Sequence, residues 1–227
     1  MSVCIKDLIK NINLVIGCTN KCPYCYARIN CIRFHETDDF SVPEFFERKL
    51  RMLEKKIPGA YLLTGQSDFA DWKEDWIEKT FEKIRENPQN QFIFLTKNPE
   101  KLNVKTDLQN VWIGTTVTCA ADKHRFTVLK ENVECPNLHA TLEPLHSDVG
   151  ELDLDGYNWL VIGTETGKRK GKIDARPKWV DGVVRQAQAR NIPVFMKEEL
   201  VRNIMGEERC IQQLPECFPL KPADLEV

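Results

Sequence analysis

The chain has 227 residues, of which 42% are hydrophobic and 29% charged, so it can bury the core of one compact globular domain. Its formal net charge of −2 gives no global basic footprint for nucleic acid, and no stretch reaches the roughly 20 apolar residues of a membrane span. The N-terminus lacks the profile of a signal peptide, so we expect a cytoplasmic protein with no membrane partner.

Short apolar runs alternate along the chain with helical stretches, which predicts βα units around a parallel sheet. The apolar runs are 14–16, 60–63, 92–95, 111–113, 138–142, 159–162 and 194–196. Helices are predicted over 43–56, 75–86, 120–130 and 179–190. We therefore predict an α/β fold, a partial (β/α) TIM-like barrel of six or seven parallel strands within residues 1–200, because this length is short for eight strands. Residues 201–227 are predicted to form a C-terminal extension packed on the barrel.

Three cysteines follow the first apolar run at a C-x3-C-x2-C spacing, as Cys18, Cys22 and Cys25. Three thiolates on one loop can hold an iron–sulfur cluster and leave one iron open for a cofactor or substrate. The alternative is structural zinc completed by Cys31 or His35, although zinc usually draws its ligands from two knuckles and the second pair is missing. The odd total of nine cysteines favours reduced thiols over a disulfide framework.

Six later apolar runs are each followed by polar or charged residues, among them Asp68, Lys97, Thr116, Glu143, Glu165 and Lys197. Because the strand C-termini of a parallel barrel lie on one face, we expect these side chains to meet at one mouth with the cysteine loop. Taken singly, each could be an ordinary loop charge. Glu165 and Lys197 could also form a structural ion pair, but we favour a catalytic role for Glu165.

The motif Cys18-x3-Cys22-x-Tyr24-Cys25, with a βα barrel behind it, resembles the radical S-adenosylmethionine (SAM) superfamily. Segments 66–69, 95–100, 111–114, 142–144, 162–167 and 176–177 resemble a phage- and mobile-element-associated family within it, of the radical SAM mobile pair protein B type. That family is distantly similar to spore photoproduct lyase. Residues 64–66 contain no cysteine at the place of that enzyme's hydrogen donor, which argues against thymine-dimer repair.

The resemblance implies that the three motif cysteines hold a [4Fe-4S] cluster whose fourth iron binds SAM. Reductive cleavage of SAM would give a 5′-deoxyadenosyl radical that abstracts hydrogen from a substrate. The implied SAM contacts are Tyr24 to the adenine, Gly65, Gln66 and Ser67 to the methionine amino group, Lys97 to its carboxylate, and Thr116 or Glu143 to the ribose.

Two further features belong to the predicted mouth. Cys119 could donate a hydrogen atom to a substrate radical, although a free cysteine is more often a small buried hydrophobic residue. The basic loop 168–172 can attract phosphate or a nucleic-acid backbone, although most surface lysines are only solvated.

Two functional hypotheses follow. The first is a radical SAM enzyme that takes electrons from an external one-electron donor and acts on an unidentified substrate, with a nucleotide, a nucleic acid and a small metabolite as candidates. The open side of a partial barrel favours a large substrate or a partner protein. The second is a non-catalytic zinc or iron–sulfur interaction module in a two-protein system.

Overall fold

A parallel β-sheet forms the centre of the computed structural model, which describes residues 1–225. The strands are β1 (Ile9–Asn11), β2 (Val15–Ile16), β3 (Glu44–Phe45), β4 (Ala60–Leu62), β5 (Gln91–Thr96), β6 (Val104–Lys105), β7 (Val111–Thr116), β8 (Val133–Glu134), β9 (Asn137–Leu142), β10 (Tyr157–Ile162) and β11 (Val194–Met196). Seven of them pair in the order β1-β4-β5-β7-β9-β10-β11, all parallel, and this sheet curls into a half-barrel. The predicted partial barrel is confirmed, with seven strands.

Helices pack around this sheet and beside the cysteine loop. They are α1 (Ile5–Leu8), α2 (Tyr26–Phe34), α3 (Glu74–Arg85), α4 (Arg125–Asn132), α5 (Pro177–Gln188) and α6 (Glu198–Leu200), which continues as a π-helical turn over Val201–Met205. The helices predicted over 75–86 and 179–190 are confirmed as α3 and α5, and the stretch 120–130 divides into a 3-10 turn and α4. Among residues 1–225, no helix combines the length and the apolar composition that crossing a membrane requires.

The prediction was wrong for the segments around the cysteine motif. The edge strand of the barrel is β1, whereas the apolar run 14–16 forms β2, which pairs antiparallel with β3 outside the barrel sheet. The helix predicted over 43–56 is instead β3 followed by a 3-10 helix at Glu47–Leu53. Tertiary pairing overrides the local helical pattern here, because β2 takes its hydrogen-bonding partner from this segment.

Alternate residues of the barrel strands face the interior, as the two-residue period of a strand requires. Near the start of the strands the interior is filled by an apolar layer that includes Ile93, Trp112, Trp159 and Phe195. Phe218 from the C-terminal segment packs into this layer, with its ring centroid 5.2 Å from that of Trp112 and 5.3 Å from that of Trp159. One end of the half-barrel is therefore closed by hydrophobic side chains.

The C-terminal segment also covers the last strand of the sheet. Met196 N–H donates to Ile211 O over 2.7 Å, and Gln213 N–H donates to Val194 O over 2.8 Å. These bonds satisfy backbone groups that an uncovered edge strand would leave unpaired.

Gly17, immediately before the first motif cysteine, pairs with the loop that follows β4. Its N–H donates to Gln66 O over 3.0 Å, and it forms a parallel bridge with Ser67. Its φ of 115° lies in the region that favours glycine, and a Cβ at this position would lie 2.7 Å from Val42 O. The position of Cys18 thus depends on a glycine that no other residue can replace without strain.

Gly17→Ala is expected to lower the free energy of unfolding by about 2 kcal/mol, because the left-handed backbone and the contact with Val42 both oppose a side chain. Chemical denaturation measures the change. The control is Gly182→Ala in α5, where a Cβ meets nothing within 4 Å. That change should raise stability by about 0.5–1 kcal/mol, and equal midpoints for the two variants would contradict the role given to Gly17.

Candidate functional site

A cavity of about 610 Å³ lies at the carboxyl ends of the barrel strands. Its polar lining residues come after the apolar layer along the strands, as Thr116 follows Trp112 and Lys197 follows Phe195. Every predicted site residue except Cys119 lines it: Cys18, Cys22, Tyr24, Cys25, Gly65, Gln66, Ser67, Lys97, Thr116, Glu143 and Glu165. The expected convergence of the strand ends and the cysteine loop is therefore observed.

The three motif cysteines are free thiols on the loop that leads into α2. Cys18 N–H donates to Phe40 O over 2.7 Å, and the Sγ of Cys25 caps α2 by accepting from Arg28 N–H over 3.4 Å. Burial raises the pKa of the Cys18 thiol to about 12, so without a bound cation this thiol stays protonated at neutral pH. Metal coordination removes that proton, because a coordinating thiol is deprotonated by the charge of the metal.

The donor atoms do not converge on a single point. Within residues 1–225, no group of three or more His, Cys, Asp or Glu side chains is arranged to hold one metal ion. Zinc needs four donors around one centre, whereas a cluster distributes its cysteine ligands over different irons. Of the fourth ligands considered for zinc, Cys31 is buried beside Thr37, and His35 is exposed at the end of α2.

Lys97 places a cation on the cavity wall beside the cysteine loop. Its Nζ lies 5.9 Å from the ring centroid of Tyr24, and it has no hydrogen-bond acceptor or carboxylate partner within the described part of the chain. Burial lowers the pKa of this lysine, since desolvation disfavours its charged form. An anion bound in the cavity would relieve that cost.

The segment 65–67 is already partly engaged within the protein. Gly65 O accepts from the Tyr26 hydroxyl over 3.0 Å, and the Gln66 amide donates to Glu36 Oε2 over 2.6 Å. Ser67 Oγ accepts from Trp72 Nε1 over 3.0 Å and so keeps its own hydrogen and one lone pair for a ligand.

Two carboxylates that line the cavity, the half-buried Glu143 and the buried Glu165, are paired with cations, but not as predicted. The suggested Glu165–Lys197 pair is wrong: Lys197 Nζ lies 2.5 Å from Glu143 Oε2. The carboxyl of Glu143 packs over Gly163, where a Cβ would lie 2.8 Å from Glu143 Cδ.

Glu165 holds Arg169 and His146 instead. It is 3% exposed and accepts from Arg169 Nε over 2.6 Å and from Arg169 Nη2 over 2.9 Å. His146 Nε2 lies 3.0 Å from the same carboxylate, and its ring packs edge-on against Tyr24 with centroids 5.4 Å apart. The hydrogen bonds from Arg169 keep the pKa of Glu165 below its usual range.

The basic loop 168–172 is partly neutralised by these contacts. Arg169 is bound to Glu165, and Lys172 Nζ lies 2.9 Å from Asp174 Oδ1. Lys168 and Lys170 are exposed and make no ion pair among residues 1–225. The sequence analysis did not identify His146, because no local pattern marks it. It also did not identify the pairing of Arg169 with Glu165, although their four-residue spacing could have indicated it.

Cys119 lies apart from the cavity lining. It precedes the 3-10 turn Ala120–Asp122 as a half-buried residue, with its Sγ 3.7 Å from Asp122 Oδ2. The structure thus does not bring it to the other predicted residues.

A family model described as "Protein of unknown function (DUF5131)" matches residues 5–204, which is most of the chain. Comparison with curated proteins and with solved structures finds no match.

Glu165→Gln is expected to lower the free energy of unfolding at neutral pH by about 1–2 kcal/mol, because it removes the charge of a buried carboxylate that accepts hydrogen bonds from the half-exposed Arg169. Folding lowers the pKa of Glu165, so its ionised carboxylate stabilises the folded state fully at pH values above its ordinary pKa of about 4.3. This stabilisation is lost as the pH falls through the lowered pKa of the folded protein. Denaturation of both proteins at pH 7 and at about pH 3 should show the difference shrinking in acid.

The matched control is Glu151→Gln, which changes an exposed carboxylate that makes no hydrogen bond or ion pair within the described residues. An effect of Glu165→Gln no larger than that of the control would refute the proposed stabilisation.

Proposed function

The chain belongs to the DUF5131 family of proteins of unknown function, and from its cavity we propose that it is a radical SAM enzyme. Cys18, Cys22 and Cys25 would hold a [4Fe-4S] cluster, with SAM on the remaining iron. The observation that carries the proposal is that three free thiols and an unpaired lysine face one cavity at the mouth of a parallel half-barrel.

The donor set fits such a cluster. Thiolates are the soft ligands that iron–sulfur clusters use, and three of them leave one iron free for another ligand. The ammonium of Lys97 lies on the same wall and lacks a partner in the described chain, so it can compensate the carboxylate of SAM. A zinc module without turnover gives no reason for a desolvated lysine beside the cysteines.

When bound, the cluster and SAM supply a 5′-deoxyadenosyl radical that abstracts hydrogen from the substrate. The chain binds and orients the reactants and excludes water. Tyr24 offers its ring to the adenine, and the Ser67 hydroxyl and the backbone of Gly65 and Gln66 receive the amino group. Thr116 would contact the ribose hydroxyls, together with Glu143 Oε1, which makes no hydrogen bond among residues 1–225.

The substrate would lie on the side of the cavity lined by Glu143, Glu165 and Lys197, at the ends of β9, β10 and β11. Lys168 and Lys170 lie exposed on the loop beside this side and favour an anionic substrate, such as a nucleotide or a nucleic acid. Glu165 is engaged with Arg169 and His146, so its part is to hold Arg169 at the cavity. Cys119 remains a hydrogen-donor candidate only for a substrate that extends beyond the cavity.

Anaerobic reconstitution is expected to load about four irons per chain, as a [4Fe-4S] cluster requires. With dithionite and SAM, the loaded protein should release 5′-deoxyadenosine, which chromatography detects. Zinc in the purified protein together with no SAM cleavage would instead support the metal-binding interaction module.

Cys22→Ala is expected to abolish both cluster binding and SAM cleavage while the fold persists, because two thiolates cannot hold the cluster. Cys217→Ala, which removes an exposed cysteine outside the motif, is the control and should behave as wild type. If Cys22→Ala still cleaves SAM, the ligand assignment is wrong.

Lys97→Gln is expected to weaken SAM binding at least about tenfold while the iron content stays unchanged, because it removes the charge that faces the carboxylate. Equilibrium binding to the reconstituted protein measures this effect. Lys101→Gln changes an exposed lysine on the following turn and should leave the affinity unaltered. Equal affinities for the two variants would remove Lys97 from the SAM site.

A further inference from the structure

Two of the three residues between the first and second motif cysteines are held by carboxylates from another segment of the chain. Asp71 accepts from Thr19 N–H over 2.8 Å and from the Thr19 hydroxyl over 2.7 Å. Asp68 accepts from the side-chain amide of Asn20 over 2.6 Å. Both carboxylates lie in the loop that follows β4, about fifty residues along the chain from the cysteines they flank.

Asp68 is buried, and its oxygens also bind the end of β5. They accept from Thr96 Oγ1 over 2.5 Å, from Lys97 N–H over 2.8 Å and from Ala70 N–H over 3.0 Å. Each of these groups is a donor, as an acceptor-only carboxylate requires. One side chain therefore joins the cysteine loop, its own loop and the backbone of Lys97.

We propose that Asp68 and Asp71 are positioning residues for the cluster: they fix Thr19 and Asn20, and thereby the relation of Cys18 to Cys22. Asp68 also fixes this pair of cysteines relative to Lys97, the residue assigned to the SAM carboxylate. This inference rests on the proposed function, since it gives these carboxylates a role towards the same cluster.

The physical reason is preorganisation. A three-residue spacer between two ligands loses conformational freedom when a cluster binds, and contacts that order it beforehand remove that cost. Groups that orient metal ligands typically contribute 10–100-fold to metal affinity. Arg28 and Asn98 also hold Asn20: Arg28 Nη2 donates to Asn20 O over 2.6 Å, and the Asn98 amide donates to Asn20 Oδ1 over 3.1 Å.

The test uses the full chain with Asp68→Asn and with Asp71→Asn. An amide replaces one acceptor oxygen with a donor, so each variant loses part of its hold on the spacer. Asp38→Asn is the matched control, because Asp38 is exposed near the same loop and makes no hydrogen bond or ion pair among residues 1–225.

Two quantities are measured. The first is the rate at which a chelator removes iron from the reconstituted protein, which should rise about tenfold in both variants but not in the control. The second is amide hydrogen exchange at Thr19 in metal-free protein, which should be faster in Asp71→Asn. If the buried change at Asp68 prevents folding, the half-buried Asp71 variant still decides the question.

The outcomes separate the inference from the function on which it rests. A wild-type chain that takes up no iron overturns the proposed function, and the role towards a cluster with it. Normal iron uptake, with chelation and exchange rates in the variants equal to those of the control, overturns the inference alone.

Discussion

The buried carboxylate of Asp68 is the point on which the arrangement of the cavity depends. A carboxylate removed from water is costly unless donors surround it, and here they come from the cysteine loop, from the loop after β4 and from the end of β5. The same bonds that satisfy this charge hold three segments together that are distant in sequence. One buried side chain therefore connects the three segments on the cysteine side of the cavity.

The half-barrel explains why the cavity lies where it does. Each barrel strand presents alternate residues to the interior, and the aromatic layer around Trp112 and Trp159 closes one end. Further along the strands the same inner positions carry Thr116, Thr141 and Lys197, which leave space and polar groups. The parallel direction of all seven strands brings these ends to one face.

The charged side chains on one side of the cavity are paired, whereas the lysine on the cysteine side is not, within residues 1–225. Glu143 is paired with Lys197, and Glu165 with Arg169, so the side near β9 and β10 holds its charges in pairs. On the cysteine side, the charge of Lys97 is not matched within the described chain. Charges withdrawn from water are ordinarily paired, so this half-buried lysine without a close carboxylate among the described residues is the position where we would expect a bound anion.

The sequence by itself determined six of the seven barrel strands, two of the four predicted helices, the cysteine motif and the polar strand ends, because periodicity and spacing are local properties. Only the tertiary structure decided that β2 pairs with β3 outside the barrel, that residues 47–53 form a 3-10 helix, and which cation each carboxylate meets. Those features depend on contacts between residues far apart in the sequence, such as the hydrogen bond between Asn20 and Asp68. A local pattern carries no information about which distant group will satisfy a buried charge or an unpaired strand.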